Sequence, residues 1–477
     1  MELPDSELPD MNGSDKSDGE RVQEFERARC RPRTWKVRGP GITRNFSRFY
    51  RSIGTIRDYS TVFAGHALSA LIGLVTSVFL ARFLDKGDFG TYSVFLAMSM
   101  IFASAIDMGM TQSLVRFGSQ LRRDKDRTGL SNIVVATIKG KVIVGSIVGV
   151  LGFIFVYIVG LGEGSIGGQV LIMVPICGFA ISFFYMTQGI LQIQRNFRGV
   201  SILLIIKGFM FLAAVVLAAF IIGISLLMAC FLFLAMTVAA IVPFMGSYVE
   251  VVKVGSRSKP PNRGELRLLF GFGKWIAVSG VATSLVGQMP IAAVYGYYGP
   301  ESAANFSVAI VMIGMLGILS VPLMTVLMPD LSRIETKTAL KEYLASTYRF
   351  LLPLVLIILV GLFAASEPLI IYLYGEEYSD GIVLLRILLI PFILSFTLLP
   401  VNMSLTYVFD RPIIPSMTNV VQLIALTVAI SMMSYFHDVV ILVAVYGIIK
   451  AGGSIGVFII SLVFIRSRGE RLRDLTG

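Results

Sequence analysis

The chain has 477 residues, 55% of them hydrophobic and 15% charged, with a mean hydropathy of +0.78. Soluble domains carry about 25% charged residues, so a soluble globular protein is excluded and an integral membrane protein is expected. The net charge of +11 would point a soluble protein toward nucleic acid, but here it sits in loops and tails, so no nucleic-acid partner is expected.

Residues 1–58 form a polar tail. Met1 to Glu20 is acidic and rich in Ser, Asp and Pro, which reads as disordered. Basic residues dominate from Arg21 to Arg57, and no apolar run of signal-peptide type lies among them. Ile42, Phe46, Phe49, Ile53 and Ile56 recur at alternating spacings of four and three, which places them on one helical face. This segment reads either as an amphipathic helix on an anionic leaflet or as a positive topogenic flank.

Apolar runs long enough to span a bilayer follow at 59–82, 89–114, 131–160, 166–194, 198–222, 224–248, 270–297, 301–328, 345–365, 380–409, 412–434 and 438–465. Only helices satisfy their own backbone in lipid, apart from closed barrels, so an all-α protein of twelve transmembrane helices is expected. Loops on one side hold Arg122, Arg123, Lys125, Arg127, Arg195, Arg198, Lys253, Arg257, Lys259, Arg263, Arg333, Lys337, Arg411 and Arg466. Alternate loops carry Glu163, Glu301, Glu367, Glu376, Glu377, Asp380 and Asp438, with Arg82 and Lys86 as exceptions. By the positive-inside rule this is a multi-pass protein of the cell membrane with both termini cytoplasmic. The domains expected are a first lobe at 59–248, a linker at 249–269 containing Pro260-Pro261, a second lobe at 270–465 and a basic tail at 466–477.

The first hairpin is the most informative stretch. Leu80-Ala81-Arg82-Phe83-Leu84 closes one span, and Asp85-Lys86-Gly87-Asp88-Phe89-Gly90 follows as a polar turn. Gly87 and Gly90 are expected to allow the turn, and Asp88 to cap the returning helix. The next run contains Asp107, an acid that costs about 2.5–3.5 kcal/mol inside a span and so calls for a partner or a cavity. Phe83 to Val94 aligns without a gap over Tyr297 to Val308, sharing aromatics, turn residues and a final Ser-Val. Two halves of six spans enter from the same side, which makes a parallel repeat about an axis along the membrane normal.

Those residues carry a resemblance. Leu80 to Leu84, Asp88-Phe89-Gly90-Thr91-Tyr92 and Asp107-Met108-Gly109 resemble the first hairpin of the oligosaccharide flippases of the polysaccharide-biosynthesis family, relatives of the multidrug and toxic-compound extruders. Pro329-Asp330-Leu331-Ser332 resembles that family's Pro-x-x-Ser ending of the eighth span, and Gly375-Glu376-Glu377-Tyr378 its Gly-x-x-Tyr loop. The resemblance covers roughly residues 59–465 and implies translocation of a lipid-linked oligosaccharide, on a polyprenyl phosphate or diphosphate, by alternating access between two lobes. It further implies a monomer whose partners are membrane lipids and glycan assembly enzymes. Many members have an Asp in the seventh span where this chain has Gln288, which puts a titrating carboxylate there in doubt.

No enzyme constellation, Walker motif or phosphate loop is present, and no cofactor is expected. The three cysteines, Cys30, Cys177 and Cys230, form no disulfide framework, and the two histidines, His66 and His437, are far apart. Intramembrane charges are biased to the positive: Lys139, Lys141, Lys207, Arg386 and Lys450 against the single acid Asp107. Such a set suits a cavity for an anionic head group. Lys207 and Lys450 are the hardest to explain by snorkelling, whereas Lys139, Lys141 and Arg116 lie near enough to a boundary to do so. Arg82 reads as a boundary anchor or a gate partner for an acid such as Asp85. Gln112, Gln188, Gln192, Gln288, Asn305 and Asn402 could contact sugar hydroxyls but more commonly bridge helices. Rival readings are a cation-coupled small-molecule exporter of the same fold, a non-transporting scaffold of glycan assembly and an integral membrane glycosyltransferase.

Overall fold

The computed structural model describes residues 42–160, 166–249, 263–331, 334, 336–409, 411, 413–432 and 438–466. The acidic tail, most of the Pro260-Pro261 linker, Ser332, His437 and the tail from residue 467 lie outside the described residues. The helices are α1 Ile42–Phe83, α2 Lys86–Asp107, α3 Met110–Arg123, α4 Arg127–Gly160, α5 Ile166–Ile193, α6 Phe197–Ile221 and α7 Leu226–Ala239. They continue as α8 Arg263–Tyr298, α9 Pro300–Leu331, α10 Lys337–Leu373, α11 Asp380–Tyr407, α12 Ile413–Met432 and α13 Val439–Arg466.

Among the described residues there is no strand, and 11 helical segments are long and apolar enough to cross a membrane. The sequence reading of twelve adds α9, a 32-residue helix at the place of the expected eighth span. The protein is an all-α, multi-pass membrane protein. Its expected amphipathic segment at 42–57 continues into the first span as a single helix, Ile42–Phe83.

Packing repeats with an offset of six spans. In the first half α1 packs on α6 and α2 on α5; in the second, α8 packs on α12 and α9 on α11. The halves meet where α2 lies against α8 and α9, and α1 against α9. The ungapped internal alignment is visible in the backbone, because Lys86 and Pro300, which it superposes, are the first residues of α2 and α9. Long apolar side chains such as Phe95, Ile106, Leu385 and Leu388 fill the interior, while Ile143, Ile147, Phe220, Ile357 and Val463 remain exposed. That is the arrangement expected where lipid, as apolar as leucine, covers the outside.

Two details depart from the sequence expectation. The first turn is tighter than expected: Asp85 stands at the N-cap with no side-chain bond, so Gly87, Asp88 and Gly90 lie inside α2. Asp88 then belongs to the first helical turn, where a carboxylate favours the helix dipole, rather than to a cap. The span expected at 89–114 is broken at Met108 (φ 39°) and Gly109 (φ 70°), both left-handed. Glycine accepts that conformation freely, and methionine only at a cost of about 1–2 kcal/mol.

Candidate functional site

Three sets of polar groups organise the bundle. The first lies at the end carrying the turns near Asp85, Gly299 and Gly375, here called the hairpin end. Arg82, in the last turn of α1, donates from Nε to the Leu373 carbonyl (2.7 Å) and from Nη2 to that of Tyr372 (2.5 Å). Those carbonyls close α10, where the orphan acceptors and the negative end of the helix dipole favour a cation. Lys86 donates to the Glu377 carbonyl and stands 5.6 Å from the Tyr378 ring centre. Tyr378 returns a bond from its hydroxyl to the Ala81 carbonyl (3.0 Å) and packs edge-on against Phe89 (5.9 Å). Tyr374 donates to Ser77 Oγ (3.2 Å).

Burial raises the phenol of Tyr378 well above its ordinary range and pushes that of Tyr374 up to about 12, so both stay protonated donors at neutral pH. The two stretches singled out by the sequence, Leu80–Leu84 and Gly375–Tyr378, are therefore each other's partners across the halves. Arg82 acts on backbone carbonyls and not on Asp85.

The second set lies at the break in the second span. Asp107 ends α2 and is paired with Lys141 of α4, whose side chain is fully buried. Lys141 also donates to Ser182 Oγ (2.8 Å) and to the Ser182 carbonyl (3.0 Å) on α5. Thr111, in the first turn of α3, donates to the same Asp107 carboxylate. Lys141 thus does not snorkel, as its sequence position allowed; its charge is satisfied inside the bundle. Ser182 and Thr111 were not singled out by sequence, since small hydroxyl residues are common throughout the spans.

Third are the cations without an acid. The ammonium of Lys207 on α6 lies 4.7 Å from the Phe184 ring centre and 4.8 Å from that of Phe233. Lys450 on α13 is half-buried beside α12, where Gln422 donates to the Ile449 and Lys450 carbonyls (3.1 and 3.2 Å). Among the described residues neither lysine has a carboxylate within ion-pair distance.

The remaining candidates are scattered. Arg386 on α11 bonds Ser366 (2.8 Å) and pairs loosely with Glu367 (3.5 Å), near the hairpin end. Asn305 donates to Asp380 (3.2 Å) and holds α9 to the start of α11, the helix-bridging role. Gln288 of α8 reaches only Met100 Sδ of α2 (3.4 Å), and Ser284 reaches the Met100 carbonyl (3.4 Å). Lys139 is exposed on α4 next to exposed Val142 and Ile143. Arg116 is exposed on α3, 5.9 Å from the Phe117 ring centre. No group of three or more His, Cys, Asp or Glu able to hold a metal ion occurs among the described residues.

Comparison with known proteins adds the family. Residues 79–383 match the family model described as "Polysaccharide biosynthesis protein". A curated relative, the "Putative O-antigen transporter" of Shigella flexneri, is 24% identical over 352 residues, covering 69% of this chain and 79% of that protein. Among solved structures, an inward-facing multidrug resistance transporter of the MATE family, MOP superfamily, superposes with a TM-score of 0.62 at 16% identity, covering 86% of this chain and 96% of that one. The lipid II flippase MurJ, in an inward closed conformation, also gives 0.62, at 15% identity, with 84% and 91% covered. These likenesses establish a transporter fold. The matched relatives are membrane transporters and not enzymes, which removes the glycosyltransferase reading.

Proposed function

We propose that this chain, which belongs to the polysaccharide biosynthesis protein family, is a flippase that carries a lipid-linked oligosaccharide across the cell membrane by alternating access. The basic loops would face the cytoplasm, and the hairpin end the opposite side. The two lobes would be those of residues 59–248 and 270–465, rocking against each other around α2, α8 and α9.

One observation carries the choice of an anionic substrate. Lys141 pairs with Asp107, so the intramembrane acid singled out by the sequence is neutralised, and among the described residues Lys207 and Lys450 remain as positive charge without an acid. An exporter of cations would instead need an acid free to meet its cargo. Unpaired ammonium groups at low dielectric favour a phosphate or diphosphate, the group that all polyprenyl-linked sugars share.

The two-sided character of α3 supports a path for the head group. Gln112, Arg116 and Gln120 recur at a spacing of four and are all exposed, while Met110, Ser113, Leu114 and Gly118 of the same helix are buried. Polar side chains facing hydrocarbon are costly, so this face belongs to a hydrated cleft between the lobes. The glycan and phosphate would pass there, and the polyprenyl tail would remain in the bilayer.

The test is leaflet-resolved transport of a fluorescent lipid-diphosphate-oligosaccharide in proteoliposomes. Wild-type protein is expected to move it, and Lys207→Ala and Lys450→Ala to slow it at unchanged melting temperature. Equal rates in all three would make the lysines structural. Export of a cationic dye with no lipid transport would favour the drug-exporter reading.

A further inference from the structure

We infer that Asp107, Lys141 and Thr111 are positioning residues: they pin the break in the second span and thereby aim the polar face of α3 into the cleft. This rests on the transport reading above and names residues that set the path without touching the cargo.

The break is an unfavourable structure held in place. Met108 has φ 39° and Gly109 φ 70°, two successive left-handed residues where the apolar sequence would otherwise run on as one helix. A non-glycine residue in that region persists only where its surroundings over-determine it. Here the surroundings are specific. The carboxylate of Asp107, the last residue of α2, accepts from Lys141 of α4 and from Thr111 of α3. One carboxylate therefore ties both halves of the broken helix to each other and to α4. Lys141 is itself held by the carbonyl and hydroxyl of Ser182 on α5.

Below the break, α3 is seated by close contacts. A Cβ at Gly140 would come within 2.9 Å of Met110 Sδ, and one at Gly118 within 2.7 Å of Ile193 Cδ1. These fix which face of α3 is buried, and so which is left open: Gln112, Arg116 and Gln120. Above the break, α2 is packed against α8 and α9 of the other half. Both segments also reach the other half, α2 against α8 and α9 and α3 against α8, so the break lies at the seam between the halves. Loss of the pin removes the reason for the left-handed pair, and α3 then turns toward continuity with α2, rotating its polar face out of the cleft.

The experiment is reaction of a Gln112→Cys probe with a membrane-impermeant maleimide. It uses the full chain in proteoliposomes, with Cys30, Cys177 and Cys230 replaced by alanine. A probe at Gln192, which is exposed on α5, serves as the reference. Asp107→Asn and the milder, isosteric Thr111→Val are each expected to slow labelling at Gln112 by about fivefold or more, with Gln192 unchanged. Unchanged labelling at Gln112 in the folded Thr111→Val protein would overturn the inference. So would an equal change at both probes, which would mean general loosening. The labelling does not depend on transport, so the expected pattern in a protein that moves no lipid would count against the functional reading alone.

Discussion

Gly90 and Pro300 touch backbone to backbone across the two halves: a Cβ built on Gly90 would come within 1.9 Å of the Pro300 carbonyl oxygen and 3.1 Å of the Ala304 amide nitrogen. Ala304 is the residue that the internal repeat superposes on Gly90, so the pseudo-two-fold passes close to this contact. The two halves pack backbone to backbone at the hairpin end because one of the two equivalent positions lacks a side chain.

Gly90→Ala therefore tests closure directly. The Pro300 and Ala304 atoms in the way are backbone and cannot swing aside, so the helices must part by more than a side-chain adjustment. We expect the closed form to lose about 1–3 kcal/mol, the usual cost of overpacking. The readout is the reactivity of a cysteine placed at Ser77 toward an impermeant reagent, which should rise by roughly tenfold or more. Unaltered reactivity would mean that this contact does not govern closure.

Arg82→Lys should behave as a loss despite the retained charge. The guanidinium reaches two successive carbonyls at the end of α10 from two of its nitrogens, and a single ammonium cannot reproduce that fork. The side chain is exposed, so the effect is bounded at about 1 kcal/mol, the upper range for a cation at a helix C-terminus in water. The Ser77 assay should report a change of roughly fivefold, in the same direction as for Gly90→Ala.

The Asp107–Lys141 pair predicts strong non-additivity. Lys141→Met strands a carboxylate in the bundle, and breaking a buried pair costs about 3–5 kcal/mol. Asp107→Asn with Lys141→Met removes both charges and should melt well above Lys141→Met alone. Thermal melts in nanodiscs decide it. Melting temperatures that simply add would show the two side chains to be independent.

Much of this was legible in the sequence, for physical reasons. Hydropathy located the spans because the bilayer demands about 20 apolar residues, and the repeat of Phe83–Val94 in Tyr297–Val308 carried the pseudo-symmetry down to the first residue of each helix. The break at Met108 was hidden, since the apolar run continues through it and methionine is a poor marker of a left-handed residue. Asp107 announced the need for a partner, but the choice of Lys141 over Lys139 depends on which face of α4 is buried. Arg82 was visible as an anomaly among the loop charges. Its partners were not, because they are the backbone carbonyls of Tyr372 and Leu373, which carry no signal in residue type.

The most direct test of alternating access is a lock on the hairpin end. A Cβ on Gly87 would lie 3.8 Å from the Cβ of Pro300, the mean separation found in disulfides, so Gly87→Cys with Pro300→Cys should cross-link readily. The measurement is translocation of a fluorescent lipid-diphosphate-oligosaccharide by this variant, made in a background free of native cysteines, before and after reduction. No translocation is expected while the bond is intact, with recovery on adding reductant. Translocation at the uncross-linked rate, with cross-linking complete, would contradict alternating access.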